Sequence, residues 1–278
     1  MKLERYSDPQ IFTADVLDIL LRDEVLNNLP IAILGGASDA DTSPWLMAAV
    51  KDDAGSVLLT ALCTPPFNVL LYATNPALDV AALQLLANEL KSTGYALPGV
   101  LAEQSLAHRF AHAYTGNAAI KPLNSMHIMR LDRLNDTRPT PGHCRPLREE
   151  DLFFAPYWDR AMEEDCGIQT FDLPHHIQSV KGHIGNDTYY IWEDNVPVSQ
   201  AVHGRSTANG AVVNAVYTPP HYRGLGYATA NVAALSRMLL DKGHKFCCLF
   251  ADAENPISCG IYRKIGYKNL CLFDEIKF

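Results

Sequence analysis

The segment Val216–Ala228 carries the strongest chemical signal in this sequence of 278 residues. An apolar strand pattern stops at Pro219-Pro220, a glycine-rich turn follows, and a helical pattern begins at Tyr227. A turn of this kind points successive backbone N–H groups at one spot near the positive end of the helix dipole, which suits a pyrophosphate. Gly224 and Gly226 would let the phosphate approach the backbone closely.

Two widespread phosphate motifs do not fit this turn. The sequence has no GxxxxGK[ST] loop, and Thr229 stands where the dinucleotide fingerprint needs its third glycine or alanine. The turn is therefore a phosphate binder of another kind, unless its glycines only make a tight turn.

Two motifs in order resemble those of the GCN5-related N-acetyltransferase (GNAT) family. Arg223–Ala228 (RGLGYA) matches the family's [QR]xxGx[GA] pyrophosphate loop, and Asn255–Tyr267 resembles its Asn…Tyr-x-Lys-x-Gly-[FY] segment. Because a helix and a strand are predicted between them, the pair is much more specific than either motif alone. The resemblance covers residues 143–278 well, and over residues 1–134 it is limited to the order of elements.

The resemblance implies roles for individual residues. The backbone of Val216 and Thr218 would pair with the pantetheine arm of acetyl-CoA. Asn255 would contact that arm or position the thioester, and Tyr262 would be the general acid. The pyrophosphate would be held by the N–H groups of Arg223, Gly224, Leu225, Gly226, Tyr227 and Ala228. Asn255 followed by Pro256 is also a good helix N-cap, and the two roles can coexist.

Tyr262 suits the acid role because acetyl transfer to an amine expels a thiolate, which a positioned hydroxyl can protonate. A phenol with a reference pKa of ~10 stays protonated at neutral pH. The structural alternative is a helix tyrosine half buried at the edge of the core. The attacking amine must also lose a proton, but the strand before the loop has no acid, where many GNAT members place a glutamate. The candidates for the general base are Glu163, Glu164 and His203, or water, and the sequence does not choose among them.

The order of elements indicates the α/β (α+β) class, with two tandem GNAT-like domains, each a mixed, mainly antiparallel sheet flanked by helices. An opening helix is predicted over Glu4–Leu26, with Pro30 as its stop. The polar segment 135–142, which contains two prolines and a glycine, is predicted to link a first domain, 1–134, to a catalytic domain, 143–278. The catalytic domain is predicted to end in a strand over Asn269–Phe278.

The first half lacks an equivalent of the glycine loop. Thr64–Phe67 and then Asn68–Thr74 stand at its strand exit, with no glycine pair to offer N–H groups. We therefore expect this half to be a degenerate domain that has lost CoA binding and serves as scaffold or as a wall of the acceptor site.

Composition limits the class of protein. Hydrophobic residues at 48% and charged residues at 19% describe an ordinary globular chain, and a net charge of -8 disfavours nucleic acid or an anionic membrane as a partner. Seven cysteines without a CxxC pair are typical of reduced thiols in the cytoplasm. No signal peptide is indicated, and Pro65-Pro66 would break a spanning helix in the longest uncharged stretch. No metal is assigned to His175-His176, because adjacent histidines rarely converge on one ion by themselves.

The sequence thus predicts a cytoplasmic, acetyl-CoA-dependent N-acetyltransferase acting on a primary amine of a small molecule, by direct attack with Tyr262 as general acid. The alternative is a non-catalytic CoA-binding sensor or regulatory module, which the acid-free strand before the loop favours. The acidic run over residues 149–165 would attract a cationic amine if it walls the acceptor site. Its other interpretation is a solvated helix face.

Overall fold

The computed structural model describes residues 1–117, 119–168 and 170–278. They divide into two units, one formed by Met1–Ile128 with Leu270–Phe278 and the other by Met129–Asn269. Among these residues, no helix has both the length and the apolar character needed to cross a membrane.

The strands, in chain order, are β1 (Lys2–Tyr6), β2 (Leu46–Lys51), β3 (Val57–Cys63), β4 (Val69–Ala73), β5 (Gly99–Glu103), β6 (Asn124–Leu131), β7 (His143–Pro146), β8 (Tyr189–Asp194), β9 (Val196–Ser206), β10 (Gly210–Tyr217), β11 (Phe246–Asp252) and β12 (Lys268–Lys277). The helices are α1 (Pro9–Leu20), α2 (Asn28–Gly35), α3 (Val80–Ser92), α4 (Gln104–Thr115), α5 (Ala155–Asp165), α6 (Leu173–Asn186), α7 (Tyr227–Asp241) and α8 (Pro256–Ile265). Short 3-10 turns connect several of them.

The sheet of the first unit has the strand order β1-β2-β3-β4-β5-β12-β6. Its strands β1 to β4 are successive antiparallel neighbours, whereas β4 and β5 are parallel and pair only at Val69↔Val100 and Leu70↔Leu101. Apolar side chains of α1 and α2 form one core cluster with the sheet, and those of α3 and α4 form another. This unit therefore has a mixed, mainly antiparallel sheet flanked by helices.

The second unit repeats that plan, with the strand order β6-β11-β10-β9-β8-β7. Strand β6 appears in both orders because its residues up to Ile128 belong to the first unit and those from Met129 belong to the second. Strands β7 to β10 are antiparallel neighbours, and β10 and β11 are parallel. Consecutive residues of β8 alternate between two core clusters: Tyr190 packs with α7 and α8, whereas Tyr189 and Ile191 pack with α5 and α6. Because neighbouring side chains of a strand point to opposite faces, the two helix pairs cover opposite faces of this sheet.

The division between the units differs from the predicted domain boundaries at both ends of the second half. Strand β12 was expected in the domain 143–278, but it pairs antiparallel with β5 of the first unit from Phe273↔Glu103 to Lys277↔Gly99. The segment 135–142, predicted as a linker, packs within the second unit. Asn135 Nδ2 donates to the carbonyl of Lys264 at 3.2 Å, and Trp192 Nε1 donates to that of Pro141 at 2.8 Å.

The predicted opening helix is wrong at its start and at its stop. Residues Lys2–Tyr6 are strand β1, and α1 begins only at Pro9, where Asp8 accepts a hydrogen bond of 2.7 Å from Gln10 N. Pro30 does not end a helix but lies in the first turn of α2. That position tolerates proline because the first N–H groups of a helix have no intrahelical acceptor.

Candidate functional site

Strands β10 and β11 pair over only a short part of their length. Among the described residues, the parallel register runs from Gly210↔Phe246 to Val212↔Cys248, although β10 continues to Tyr217. A register shift against β9 between Asn214 and Tyr217, with a positive φ of 47° at Ala215, marks a β-bulge. The backbone of β10 beyond Val212 is therefore left without a strand partner on the β11 side.

Val216 and Thr218, predicted to pair with pantetheine, lie on this unpaired length and are half-buried. The Thr218 hydroxyl donates to Ser199 Oγ at 2.9 Å, and the Thr218 carbonyl accepts from the Arg223 side chain at 2.9 Å. The Thr218 carbonyl thus already has a partner inside the protein. The Thr218 N–H, which belongs to the preceding peptide group, has no backbone acceptor outside the strand ladders in the described part of the chain.

The glycine turn has the conformation that its sequence predicts. Gly224 and Gly226 have φ of 80° and 90°, a region that side-chain-bearing residues rarely adopt. Gly226 precedes the first residue of α7, and no side chain caps the N-terminus of that helix. In the described part of the chain, nothing accepts from the N–H groups of residues 224–228, and Gly224, Leu225 and Gly226 are exposed.

Arg223 anchors the turn through its side chain, and its backbone N–H, unlike those of residues 224–228, already has an acceptor inside the protein. Its own N–H donates to the carbonyl of Pro220 at 3.2 Å. Its guanidinium donates to Thr218, forms an ion pair with Asp165 at the end of α5, and lies 5.7 Å from the ring centroid of Tyr217. The next part of the loop is anchored separately, since the Tyr227 hydroxyl donates to Asp194 Oδ2 at 2.7 Å.

The other predicted residues lie on or next to α8. Asn255 is its N-cap, with Oδ1 accepting from Ser258 N at 3.0 Å, so the structural interpretation of the Asn-Pro pair is confirmed. Tyr262 is 8% exposed, and among the described residues its hydroxyl has no hydrogen-bond partner. Burial, with smaller contributions from Cys166 and Cys259, raises the pKa of Tyr262 above its ordinary value. The hydroxyl is therefore protonated and available to donate.

The structure separates the candidates for the general base. Glu164 is exposed and accepts from Arg160 Nε at 2.9 Å, one turn away on the outer face of α5. His203 lies 5.9 Å, ring to ring, from His244, beyond the C-terminal end of α7. Because α7 has 15 residues, His203 is at the opposite end of a helix about 22 Å long from the glycine turn. Glu163, with its side chain 15% exposed, is the one of the three on the inner side of α5.

A polar network that the sequence did not single out lies beside Glu163. Gln200 is fully buried in β9, and its Nε2 donates to Asp159 Oδ1 at 2.9 Å and to the carbonyl of the bulge residue Ala215 at 3.2 Å. The hydroxyl of buried Tyr189 lies 2.5 Å from Gln200 Oε1 and 3.1 Å from Asp159 Oδ1. The sequence signal for this network was Gln200, an amide side chain within the mainly apolar strand segment Val198–Val202.

Nowhere in the described ranges do three or more His, Cys, Asp or Glu side chains come together as a metal site.

In the first unit, the position equivalent to the glycine turn is the segment between β4 and α3. There Asp79 caps α3 by accepting from Ala81 N at 2.9 Å, and Asn75 Oδ1 accepts from Ala77 N at 2.9 Å. The Arg109 guanidinium donates to the carbonyls of Pro76 and Leu78.

Comparisons with known proteins agree with this geometry. The family model "FR47-like protein", a GNAT-type family, matches residues 194–275, which include both the glycine turn and Tyr262. The predicted resemblance of the second half to the GNAT family is thereby confirmed. No curated protein matches the chain by sequence.

Solved structures extend the likeness to the whole chain. A GCN5-related N-acetyltransferase from Sphaerobacter thermophilus has a TM-score of 0.66 at 14% identity, over 100% of this chain and 95% of that one. A GNAT-family acetyltransferase from Colwellia psychrerythraea has a TM-score of 0.64 at 11% identity, over 100% of both chains. A tandem GNAT protein from the clavulanic acid biosynthesis pathway has a TM-score of 0.58 at 11% identity, over 100% and 98%. The chain therefore has the tandem GNAT fold, as predicted, and likeness at this identity establishes the fold alone.

Proposed function

We propose that this protein is an acetyl-CoA-dependent N-acetyltransferase that acetylates a primary amine of a small molecule. One observation carries the proposal: the N–H groups of residues 224–228, which have no acceptor among the described residues, stand at the N-terminus of α7, next to the length of β10 that has no strand partner on its β11 side. The first feature suits a pyrophosphate, and the second suits an extended amide-containing arm that adds to a strand edge.

The residues present fit acetyl-CoA as the ligand of this site. A Cβ atom built on Gly224 meets nothing within 4 Å, so a phosphate has room to approach the backbone there. The N–H groups of Gly224, Leu225, Gly226, Tyr227 and Ala228 would hold the pyrophosphate, with Arg223 fixing the shape of the turn. The backbone of Val216 and Thr218 would pair with the pantetheine arm, and the free Nδ2 of Asn255 would contact it. When bound, acetyl-CoA supplies an activated acetyl thioester.

Tyr262 is proposed as the general acid that protonates the departing sulfur. Its hydroxyl has no internal partner, so protonating a ligand breaks no existing hydrogen bond. Its raised pKa keeps the proton on the oxygen at neutral pH. The amine is proposed to attack the thioester directly, without a covalent enzyme intermediate.

A non-catalytic CoA-binding sensor is the second candidate. The observation that favours it is the absence of an acidic side chain on β10, from Gly210 to Tyr217. A sensor would need the glycine turn and the unpaired strand edge but neither Tyr262 nor a base. The two candidates therefore differ in turnover and not in CoA affinity.

Calorimetric titration with acetyl-CoA, followed by a free-thiol assay over a panel of primary amines, distinguishes them. Binding together with amine-dependent thiol release supports the enzyme. Binding without release for every amine supports the sensor. No binding of acetyl-CoA refutes both.

A further inference from the structure

Asp159 lies on the face of α5 that packs toward the sheet, where its carboxylate meets Gln200 of β9. Its Oδ1 atom accepts from Gln200 Nε2 at 2.9 Å, and the same amide group donates to the carbonyl of Ala215 at 3.2 Å. Gln200 therefore ties the carboxylate to the β-bulge, next to the point where β10 loses β11 as its partner. In the proposed function, an extended ligand that pairs with β10 beyond Val212 runs past this bulge.

The two oxygens of Asp159 differ in their surroundings. Oδ1 is held by Gln200 and lies 3.1 Å from the Tyr189 hydroxyl, whose single proton lies between Asp159 and Gln200. No hydrogen bond to Oδ2 is found within the described ranges, and the residue is only partly buried. One oxygen thus fixes the orientation of the carboxylate, and the other is available to accept from a ligand.

A second group at this place also lacks a partner. His176, on α6, is 3% exposed, and its Nε2 atom lies 3.3 Å from Glu163 Oε2 without hydrogen-bond geometry. Glu163 is one helical turn beyond Asp159 and accepts from Phe171 N at 3.3 Å. Since a buried polar nitrogen without a partner is costly, its position among these carboxylates indicates a site that a polar ligand or water completes.

We propose that Asp159 is the general base that takes the proton of the acceptor amine, with Gln200 and Tyr189 as its positioning residues. The proposal rests on the proposed N-acetyltransferase function. Glu164 and His203 are excluded by their positions. Gln200 ties Asp159 to β9 and to the bulge of β10, whereas Glu163 bonds to the N–H of Phe171 and, among the described residues, to neither strand. Glu163 adds negative charge that attracts the ammonium form of the acceptor.

The proton balance of the step is complete. Asp159 accepts one proton from the ammonium group, and the freed electron pair of nitrogen forms the bond to the acetyl carbon. The carbon–sulfur bond breaks with its electron pair moving to sulfur, which takes the Tyr262 proton. Tyr262 regains a proton from the acylated nitrogen, through water, and Asp159 releases its own to solvent. Of the three protons on the ammonium, one remains on the amide, one replaces that on Tyr262, and one is released.

Burial raises the pKa of Asp159, and this makes the carboxylate a better proton acceptor. The groups that face it are Tyr189 on β8, Gln200 on β9, His176 on α6 and Glu163 on α5. Hydrogen bonds from Gln200 and Tyr189 oppose the shift, as does a positive charge on His176, whereas the charge of Glu163 adds to it. Protonating Asp159 on the acid side removes the base, so kcat/KM falls as pH falls through its pKa.

The test compares the wild-type protein with Asp159→Asn, which keeps the oxygen that accepts from Gln200. At neutral pH, kcat/KM for the best amine of the panel should fall by ~10²-fold or more. The remaining kcat/KM should rise with pH as the amine substrate loses its own proton, because the variant can use only the uncharged amine. Glu150→Gln removes an equal charge from an exposed side chain just before α5 and should change kcat/KM less than twofold.

Tyr189→Phe tests whether Tyr189 acts through the pKa of Asp159, which a purely structural role would leave unchanged. Loss of the hydroxyl removes a hydrogen bond to the charged form of Asp159, so its pKa should rise. The acid-side inflection of the kcat/KM profile should then move to higher pH. The same upward movement should be seen without acetyl-CoA, in the ¹³C resonance of the Asp159 carboxyl, identified by its absence in Asp159→Asn.

Three results would overturn the proposal. Asp159→Asn could retain wild-type kcat/KM and pH profile while binding acetyl-CoA. Tyr189→Phe could move the carboxyl resonance without moving the kinetic inflection, which would show that another group is the base. Absence of transfer by the wild-type protein to any amine would instead refute the proposed function, and the proposal with it.

Discussion

The Asp79 carboxylate accepts a hydrogen bond of 2.9 Å from the backbone N–H of Ala81 in the first turn of α3. Helix α7 begins at the equivalent position of the second unit with Gly226 and no side-chain cap. A carboxylate at a helix N-terminus uses the N–H groups and the positive dipole end that a phosphate would need. We therefore expect the first unit not to bind a pyrophosphate at this position.

Calorimetric titration with acetyl-CoA should accordingly give one binding site per chain. In the described part of the chain, the N–H groups of residues 224–228 have no acceptor, whereas in the corresponding turn of the first unit Asn75 and Asp79 accept from the N–H groups of Ala77 and Ala81. A stoichiometry of two would contradict this assignment. Repeating the titration with a protein altered at Gly226 shows whether the single site is the glycine turn.

Gly226→Val should lower the affinity for acetyl-CoA by about 100-fold. This loss of binding free energy corresponds to about two hydrogen bonds to a charged ligand. A Cβ atom at position 226 would lie 3.4 Å from Thr140 Oγ1, and Gly226 has a φ of 90° that valine adopts only with strain, so the turn that presents the N–H groups would be distorted. Gly243→Val is the matched control. Gly243 follows the other end of α7, has a φ of 104°, and a Cβ atom there meets nothing within 4 Å.

The control separates backbone strain from loss of the ligand site. Both variants should lose stability, and calorimetry at a temperature where both remain folded should show weak binding only for Gly226→Val. Equal affinities in the two variants would mean that the turn does not contact the ligand.

Asp151→Ala should destabilise the protein by about 3–5 kcal/mol. Asp151 and Arg145 form a buried two-point ion pair, with distances of 2.6 Å and 2.9 Å, and their side chains are 4% and 7% exposed. Removing the carboxylate leaves a buried guanidinium whose one remaining ionic partner among the described residues is Glu193. Glu150→Ala, next to it but 69% exposed, should change the free energy of unfolding by no more than about 0.5 kcal/mol. Urea denaturation measures both, and similar values would contradict the difference in burial.

Local signals in the sequence predicted much of the fold and of the glycine turn. The strand before Pro219, the two glycines and the helix from Tyr227 depend on the residues of that segment alone, and the structure places all three as predicted. The apolar runs Trp45–Val50 and Val57–Cys63, on each side of a turn at Asp52–Gly55, likewise predict a hairpin, and the structure forms it with β2 and β3.

Features that depend on distant partners were missed. Strand β12 was predicted as a strand, but its pairing with β5 depends on residues about 170 positions away, which periodicity cannot show. The acidic run of α5 contains several carboxylates, and only the helix phase in the folded protein decides that Asp159 faces Gln200 while Glu164 faces solvent.

Tyr262→Phe should lower kcat by ~10²-fold or more while the affinity for acetyl-CoA stays nearly constant. The substitution removes one hydroxyl, and because that hydroxyl has no partner among the described residues, folding stability should hardly change. Tyr267→Phe is the matched control. The Tyr267 ring lies 6.0 Å from that of Tyr262, but its hydroxyl is buried against Ser236 Oγ at 2.8 Å, so its loss should lower stability and leave kcat close to the wild-type value. Single-turnover measurements with an amine that the wild-type protein acetylates report the chemical step directly. A Tyr262→Phe variant with the wild-type single-turnover rate would eliminate the general-acid role, and the sulfur would then have to be protonated by water or another residue.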